Sequence, residues 1–198
     1  MHIEDRHLLA GHISSLFGDY QRAQDLFLAS TRPMAALELR KDLLQWDQAL
    51  KLAKALNFTT QIPDICIQYG QQLEFHDDAN TALRMYEVTH SLTHSLTHPL
   101  THSPTQEATS LQDSNQRPMC PEALVQVAQR GISRCQIKLG NLRQGLRAAN
   151  EINDKVLYQE CGDLLEVQKQ YTEAVTMYVK VMITHSLTHS LTHSLTQG

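Results

Sequence analysis

Histidine at four-residue spacing is the feature of this chain that most invites a chemical reading. His90, His94, His98 and His102 recur in one tract, and His185, His189 and His193 in another. On a helix this spacing sets imidazoles side by side, a geometry that suits zinc or nickel. The surrounding residues remove the metal reading. Both tracts spell Thr-His-Ser-Leu repeatedly, from Thr89 and again from Thr184 to Thr196, and the tetranucleotide ACTC encodes this peptide in every reading frame. Pro99 and Pro104 stand where Ser and Leu are due, each one base change away. The tracts read as translated repeat DNA, so the histidine geometry is accidental and no metal site or cofactor is expected.

The other reactive candidates are similarly thin. Of 11 histidines, only His2, His7, His12 and His76 lie outside the tracts. Cys66, Cys120, Cys135 and Cys161 have no paired C-x-x-C spacing and no evident base, which predicts reduced, buried, inert thiols. Asp77-Asp78 and Glu4-Asp5 resemble paired carboxylates, but at helix starts they complement the dipole. Gly11-His12 and Trp46-Asp47 have the separation of a WD40 blade, yet the residues between them have helical rather than alternating periodicity. No phosphate loop, nucleophile elbow or metalloprotease pair is present, so no catalytic residue is assigned. A formal net charge of -4 without a basic face argues against nucleic acid. No apolar run approaches the roughly 20 residues of a membrane span, so no membrane insertion is expected.

What remains is a repeating element. Tyr20, Ala23 and Phe27 place a small residue three after one aromatic and four before another. The pattern returns as Trp46, Ala49 and Ala53; as Ala79, Ala82 and Tyr86; as Leu142, Gly145 and Ala149; and as Tyr171, Ala174 and Tyr178. Positions three and four apart share a helix face, so the small residue admits a neighbouring helix and the large one fills the next groove. An apolar-periodic segment precedes each occurrence, giving five helix pairs. The small residues recur every 26 to 33 residues (23 to 49, 49 to 82, 145 to 174), near the roughly 34 of a tetratricopeptide repeat. The exception, Ala82 to Gly145, is about twice that period, and its surplus matches the stretch from Thr89 to about Pro118.

The expected organisation is therefore all-α, a tetratricopeptide-like helix-pair solenoid with low-complexity insertions. Residues 1–88 form about three pairs, 89–118 an insert that protrudes without joining the core, 119–183 about two pairs, and 184–198 a low-complexity tail. Pro33 and Pro63 suit first turns, and Pro121 precedes an apolar run. Neither end carries the polar cap that terminates a solenoid, which predicts a slice of a longer protein.

Leu8-Leu-Ala-Gly-His-Ile13, the run Gly18 to Ser30, Ala35 to Leu43 and Trp46 to Lys54, with Gln61-Ile-Pro63 and Gln72-Leu-Glu-Phe75, resemble the helical-repeat region of intraflagellar transport complex A subunits. The resemblance covers Ile3 to Val88, and is looser from Glu122 to Lys180. It implies a non-catalytic scaffold acting in retrograde ciliary transport, cilium assembly and protein entry to cilia. Implied partners are the other complex A subunits and ciliary cargo adaptors; implied locations are cytoplasm, cilium and ciliary base. The β-propellers of that family have no counterpart in these residues. A vesicle-coat helical array and a generic tetratricopeptide adaptor are the alternative readings, the latter weakened by the scarcity of Lys and Arg in Leu8 to Phe17 and Pro63 to Phe75.

Overall fold

The computed structural model describes the backbone of residues 5–97 and 121–195, with side chains over 5–93 and 122–184. Among the described residues there are ten α-helices, one 3-10 turn and no strand. The all-α, helix-pair class is as the periodicity predicted. The chain divides after Cys66, inside a helix, into two compact units.

The first unit holds α1 (Arg6–Leu16), α2 (Tyr20–Leu28), α3 (Met34–Asp42), α4 (Trp46–Ala55), the turn Thr59–Gln61 and the start of α5 (Ile62–Phe75). Ala23 and Phe27 of α2 form one cluster with Ala36 and Leu39 of α3, flanked by Leu28, Ala35 and Leu43. The second unit continues α5 and adds α6 (Ala79–Thr97), α7 (Pro121–Lys138), α8 (Leu142–Ile152), α9 (Lys155–Val167) and α10 (Tyr171–Leu195). Its largest described core joins Ile137 of α7, Ala149 of α8, Leu157, Cys161 and Leu165 of α9, and Ala174 and Met177 of α10. A second joins Ala79, Ala82, Leu83 and Tyr86 of α6 to Ala128 and Cys135 of α7.

All five turns within pairs are built alike. Gly18, Leu44, Asp77, Gly140 and Lys169 each have positive φ, and each lies five residues before the small residue of its pair. In every case the left-handed residue's N–H bonds a carbonyl three back, and the next N–H reaches five back, as in Gly18 N to Ser15 O with Asp19 N to Ser14 O. This closes the orphan carbonyls of the first helix and turns the chain into the second. Aspartates begin two of the five following helices: Asp19 Oδ1 accepts from Arg22 N, and Asp78 Oδ1 from Thr81 N.

The insert departs from expectation at its start. α6 runs on to Thr97, and Thr89 and Thr93 are buried, so the repeat DNA contributes core rather than protruding from residue 89. The cause is the period: residues four apart stay near one helix face, so a four-residue repeat lines that face with threonine. Threonine is small enough for close approach, and its hydroxyl is satisfied locally: Thr89 Oγ1 donates to Met85 O and Thr93 Oγ1 to Thr89 O. The expected boundary at 183 likewise falls inside α10. Expectations for residues 98–120, Cys120, the tract histidines beyond His90 and the polar flank to Pro118 lie outside the described residues.

Candidate functional site

Most of the repeat positions are buried, those of α2 and α6 in clusters shared with the first helix of the next pair. Ala23, Ala49, Ala82, Gly145 and Ala174 are all buried, as are Phe27, Trp46, Ala53, Tyr86 and Ala149. Tyr178 is half-buried, its hydroxyl donating to Asp163 Oδ1 at 2.8 Å and Glu166 Oε2 at 3.1 Å, an acceptor pair that holds the phenol well above its usual range. Tyr20 and Tyr171, which carry the same pattern, are exposed. They open the second helix of their pairs, just after the within-pair turn, where Trp46 and Ala79 at the same position are buried.

Periodicity did not reveal the partners of the aromatics. A Cβ built on Gly11 would lie 2.5 Å from the Phe27 ring, on Gly70 2.9 Å from Tyr86, and on Gly162 2.6 Å from Tyr178. Each glycine precedes its aromatic by 16 residues (11 to 27, 70 to 86, 162 to 178). The same register pairs Leu37 with Ala53, exchanging large for small, and Ser133 with Ala149, where the Ser133 hydroxyl donates to Gly145 O at 2.8 Å. Tyr86 is gripped twice, because a Cβ on Gly131 of α7 would come within 2.4 Å of its ring. The signal that would have found these contacts is the constant glycine-to-aromatic interval.

A polar network ties α5, α7 and α9 beside Tyr86. Arg134 Nη2 bonds Glu74 Oε2 at 2.9 Å and its Nη1 bonds Glu160 Oε2 at 3.0 Å. The Cys135 thiol donates to Glu74 Oε1 at 3.2 Å, and Lys138 Nζ to Glu74 O. Burial, reinforced by Glu74, pushes both Cys135 and Tyr86 upward from their ordinary pKa. The carboxylates outweigh the desolvation of Arg134 and hold its pKa above the usual value. Burial also raises Cys161, whose sulfur lies 3.6 Å from Ser133 Oγ. A thiol held protonated is a poor nucleophile, so the cluster binds helices together and is not set up to attack a substrate.

A concavity of about 690 Å³ lies where α7, the α8–α9 turn and α10 meet. Gln126, Gln129 and Arg130 line it from α7, with Asn153, Asp154 and Lys155 from the turn. Arg130 is ion-paired with Asp154, which also caps α9 by accepting from Val156 N. Amide side chains and a neutralised ion pair suit a protein contact better than a reaction. No group of His, Cys, Asp and Glu with metal-binding geometry occurs among the described residues, and no helix among them is long and apolar enough to cross a membrane. Gly11-His12 lies within α1 and Trp46 opens α4, so the blade-like spacing belongs to helices.

No protein-family model matches the chain. Individual proteins do. WD repeat-containing protein 19 of Homo sapiens is 38% identical over 178 residues, which is 90% of this chain and 11% of the human protein. The chain is homologous to one segment of that protein. WD repeat-containing protein 19 of Mus musculus is 37% identical over 178 residues, and WD repeat-containing protein dyf-2 of Caenorhabditis elegans 35% over 176 residues. The chain thus spans about 11% of the length of the relatives it matches. The resemblance read over Ile3 to Val88 and, more loosely, over Glu122 to Lys180 is borne out.

Proposed function

We propose that the chain is a non-catalytic scaffold segment of an intraflagellar transport complex A subunit. In this reading it supports retrograde ciliary transport, cilium assembly and protein entry to cilia by binding other complex A subunits and cargo adaptors. It would act in the cytoplasm, at the ciliary base and within the cilium, without nucleic acid or membrane insertion. The homology across 90% of the chain to a segment of WD repeat-containing protein 19 carries the reading. The physical features agree with it: helix pairs in one register, thiols held protonated by burial, and a polar concavity with no activated nucleophile. Stacked helix pairs offer extended surface for binding.

Affinity purification of the tagged chain from ciliated cells tests this. Complex A subunits should be enriched over a control carrying Gly131→Tyr, which destroys the Tyr86 contact. Enrichment of vesicle-coat subunits instead would support the coat alternative and overturn the ciliary reading.

A further inference from the structure

Arg40 carries a buried charge at a place that is neutral in every other helix pair of this chain. It lies four residues before the left-handed turn residue Leu44, and the same register puts Ser14, Leu73, Gln136 and Leu165 four before Gly18, Asp77, Gly140 and Lys169. The packing of a pair therefore does not call for a cation there. Gln136 shows how the position works without charge: it is 9% exposed and accepts from Asn141 Nδ2 at 2.9 Å, Asn141 standing where Gln45 stands beside Arg40. Arg40 is buried at least as deeply, and desolvating a guanidinium without a counter-ion is costly.

The surroundings supply oxygen but not negative charge. Nε donates to Gln24 Oε1, Nη2 to Gln21 Oε1 and Nη1 to Gln45 Oε1. Among the described residues no carboxylate is ion-paired with Arg40. The charges beside the cage are engaged elsewhere: Lys41 Nζ holds Asp64 Oδ2 at 2.9 Å, and Asp25 Oδ1 meets only Gln21, accepting from its Nε2 at 3.4 Å. A guanidinium has five N–H donors, so the three bonds leave one N–H on each Nη nitrogen. Each glutamine turns its oxygen toward the cation and its amide N–H groups away, which adds donors around the rim. Gln21 is exposed, and marks the side on which the cage meets solvent.

We propose that Arg40 receives the side-chain carboxylate of an Asp or Glu from a partner protein, which displaces Gln21 from the guanidinium and takes its place. A planar monoanion matches both the fork of N–H donors and the single uncompensated charge. A phosphate dianion would need a second cation, and Lys41 is already committed to Asp64. That the carboxylate comes from a protein rests on the scaffold reading above; the anion chemistry of Arg40 does not.

Sodium acetate is the probe, titrated into the 198-residue chain against sodium chloride at constant ionic strength. It should move the Arg40 Nε–H resonance saturably, and at tenfold over its Kd raise Tm by about 3 °C. Arg40→Met, checked for folding by far-ultraviolet circular dichroism, should lose that resonance and the acetate-dependent rise. Arg40→Lys keeps the charge without the planar fork and should bind acetate at least about ten-fold more weakly. No saturable shift, or an equal Tm rise in Arg40→Met, overturns the proposal. Inorganic phosphate binding more tightly than acetate overturns the choice of a carboxylate. In the affinity purification described above, Arg40→Met should lower recovery of complex A subunits, and undiminished recovery overturns docking through Arg40. Recovery of those subunits by neither chain counts against the ciliary reading, while the acetate titration still decides the anion site.

Discussion

Each unit of the chain encloses an arginine, and the two are satisfied by opposite means. In the first unit Arg40 of α3 is 4% exposed and, among the described residues, meets neutral amide oxygens: its guanidinium donates to Gln24 Oε1 at 2.7 Å, Gln21 Oε1 at 3.0 Å and Gln45 Oε1. In the second, Arg134 of α7 is clamped by two carboxylates, Glu74 and Glu160, from the helices on either side. Desolvating a carboxylate costs more than desolvating an amide, so the ionic clamp is strong only while every member is present. The amide cage, with no anion to strand, degrades gently. A scaffold therefore has two ways of fixing helix angles with a long cation: one brittle and directional, the other tolerant.

The largest expected effect comes from breaking the clamp. Glu74→Ala removes the shared acceptor of Arg134 and Cys135 and should cost about 3 kcal/mol in denaturant unfolding, the low end for a broken buried pair because both side chains keep some solvent contact. An effect below about 1 kcal/mol would make it an ordinary surface pair and erase the contrast with Arg40. Gly131→Ala should follow at about 2 kcal/mol, since the new Cβ meets a Tyr86 ring with no exposed surface, and this outweighs the roughly 1 kcal/mol that alanine gains over glycine inside a helix. Adding Tyr86→Leu should recover much of that loss; failure to recover would place the strain elsewhere.

Arg40→Met tests the tolerant cage. Its three acceptors are only partly buried and can return to water, so the loss should be about 1 to 2 kcal/mol, read from the fluorescence transition of Trp46, the single tryptophan and a member of the same unit. A cost equal to that of Glu74→Ala would deny the distinction. Smaller still, Lys169→Gly should stabilise by about 0.5 to 1 kcal/mol by relieving a left-handed backbone at φ 61°. The least effect is titration of Asp5, which accepts from Thr31 N, His7 N and Leu8 N and is thereby lowered from 3.8 to about 2. Its folded value is depressed, so its stabilisation is present above pH 3.8 and is lost as pH falls toward 2. Asp5→Asn should flatten that acid limb by slightly lowering stability at neutral pH while leaving it nearly unchanged near pH 2.

The helix pairs were legible because small and large residues recur on one face, a signal that survives without knowing any partner. Tyr86 and Ala82 were placed in this way, and the structure puts left-handed turns at Gly18 and Gly140, where glycine adopts positive φ without strain. Leu44, Asp77 and Lys169 take the same left-handed conformation, but their side chains give no sign of it; only the register with Gly18 does. The Glu74–Arg134–Glu160 clamp joins residues 60 and 26 positions apart, and nothing local in the sequence pairs them. The buried Thr89 and Thr93 were misread because a DNA origin was taken to exclude packing, whereas a four-residue period lines one helix face whatever its source.

Segment replacement tests the scaffold reading most directly. This chain, substituted for the matching 11% of human WD repeat-containing protein 19 in cells lacking that protein, should restore cilium length and the return of cargo from the ciliary tip, and the same replacement carrying Glu74→Ala and Gly131→Ala should restore both less well. A replacement that assembles into stable protein but leaves cargo stranded at the tip would contradict the proposed function.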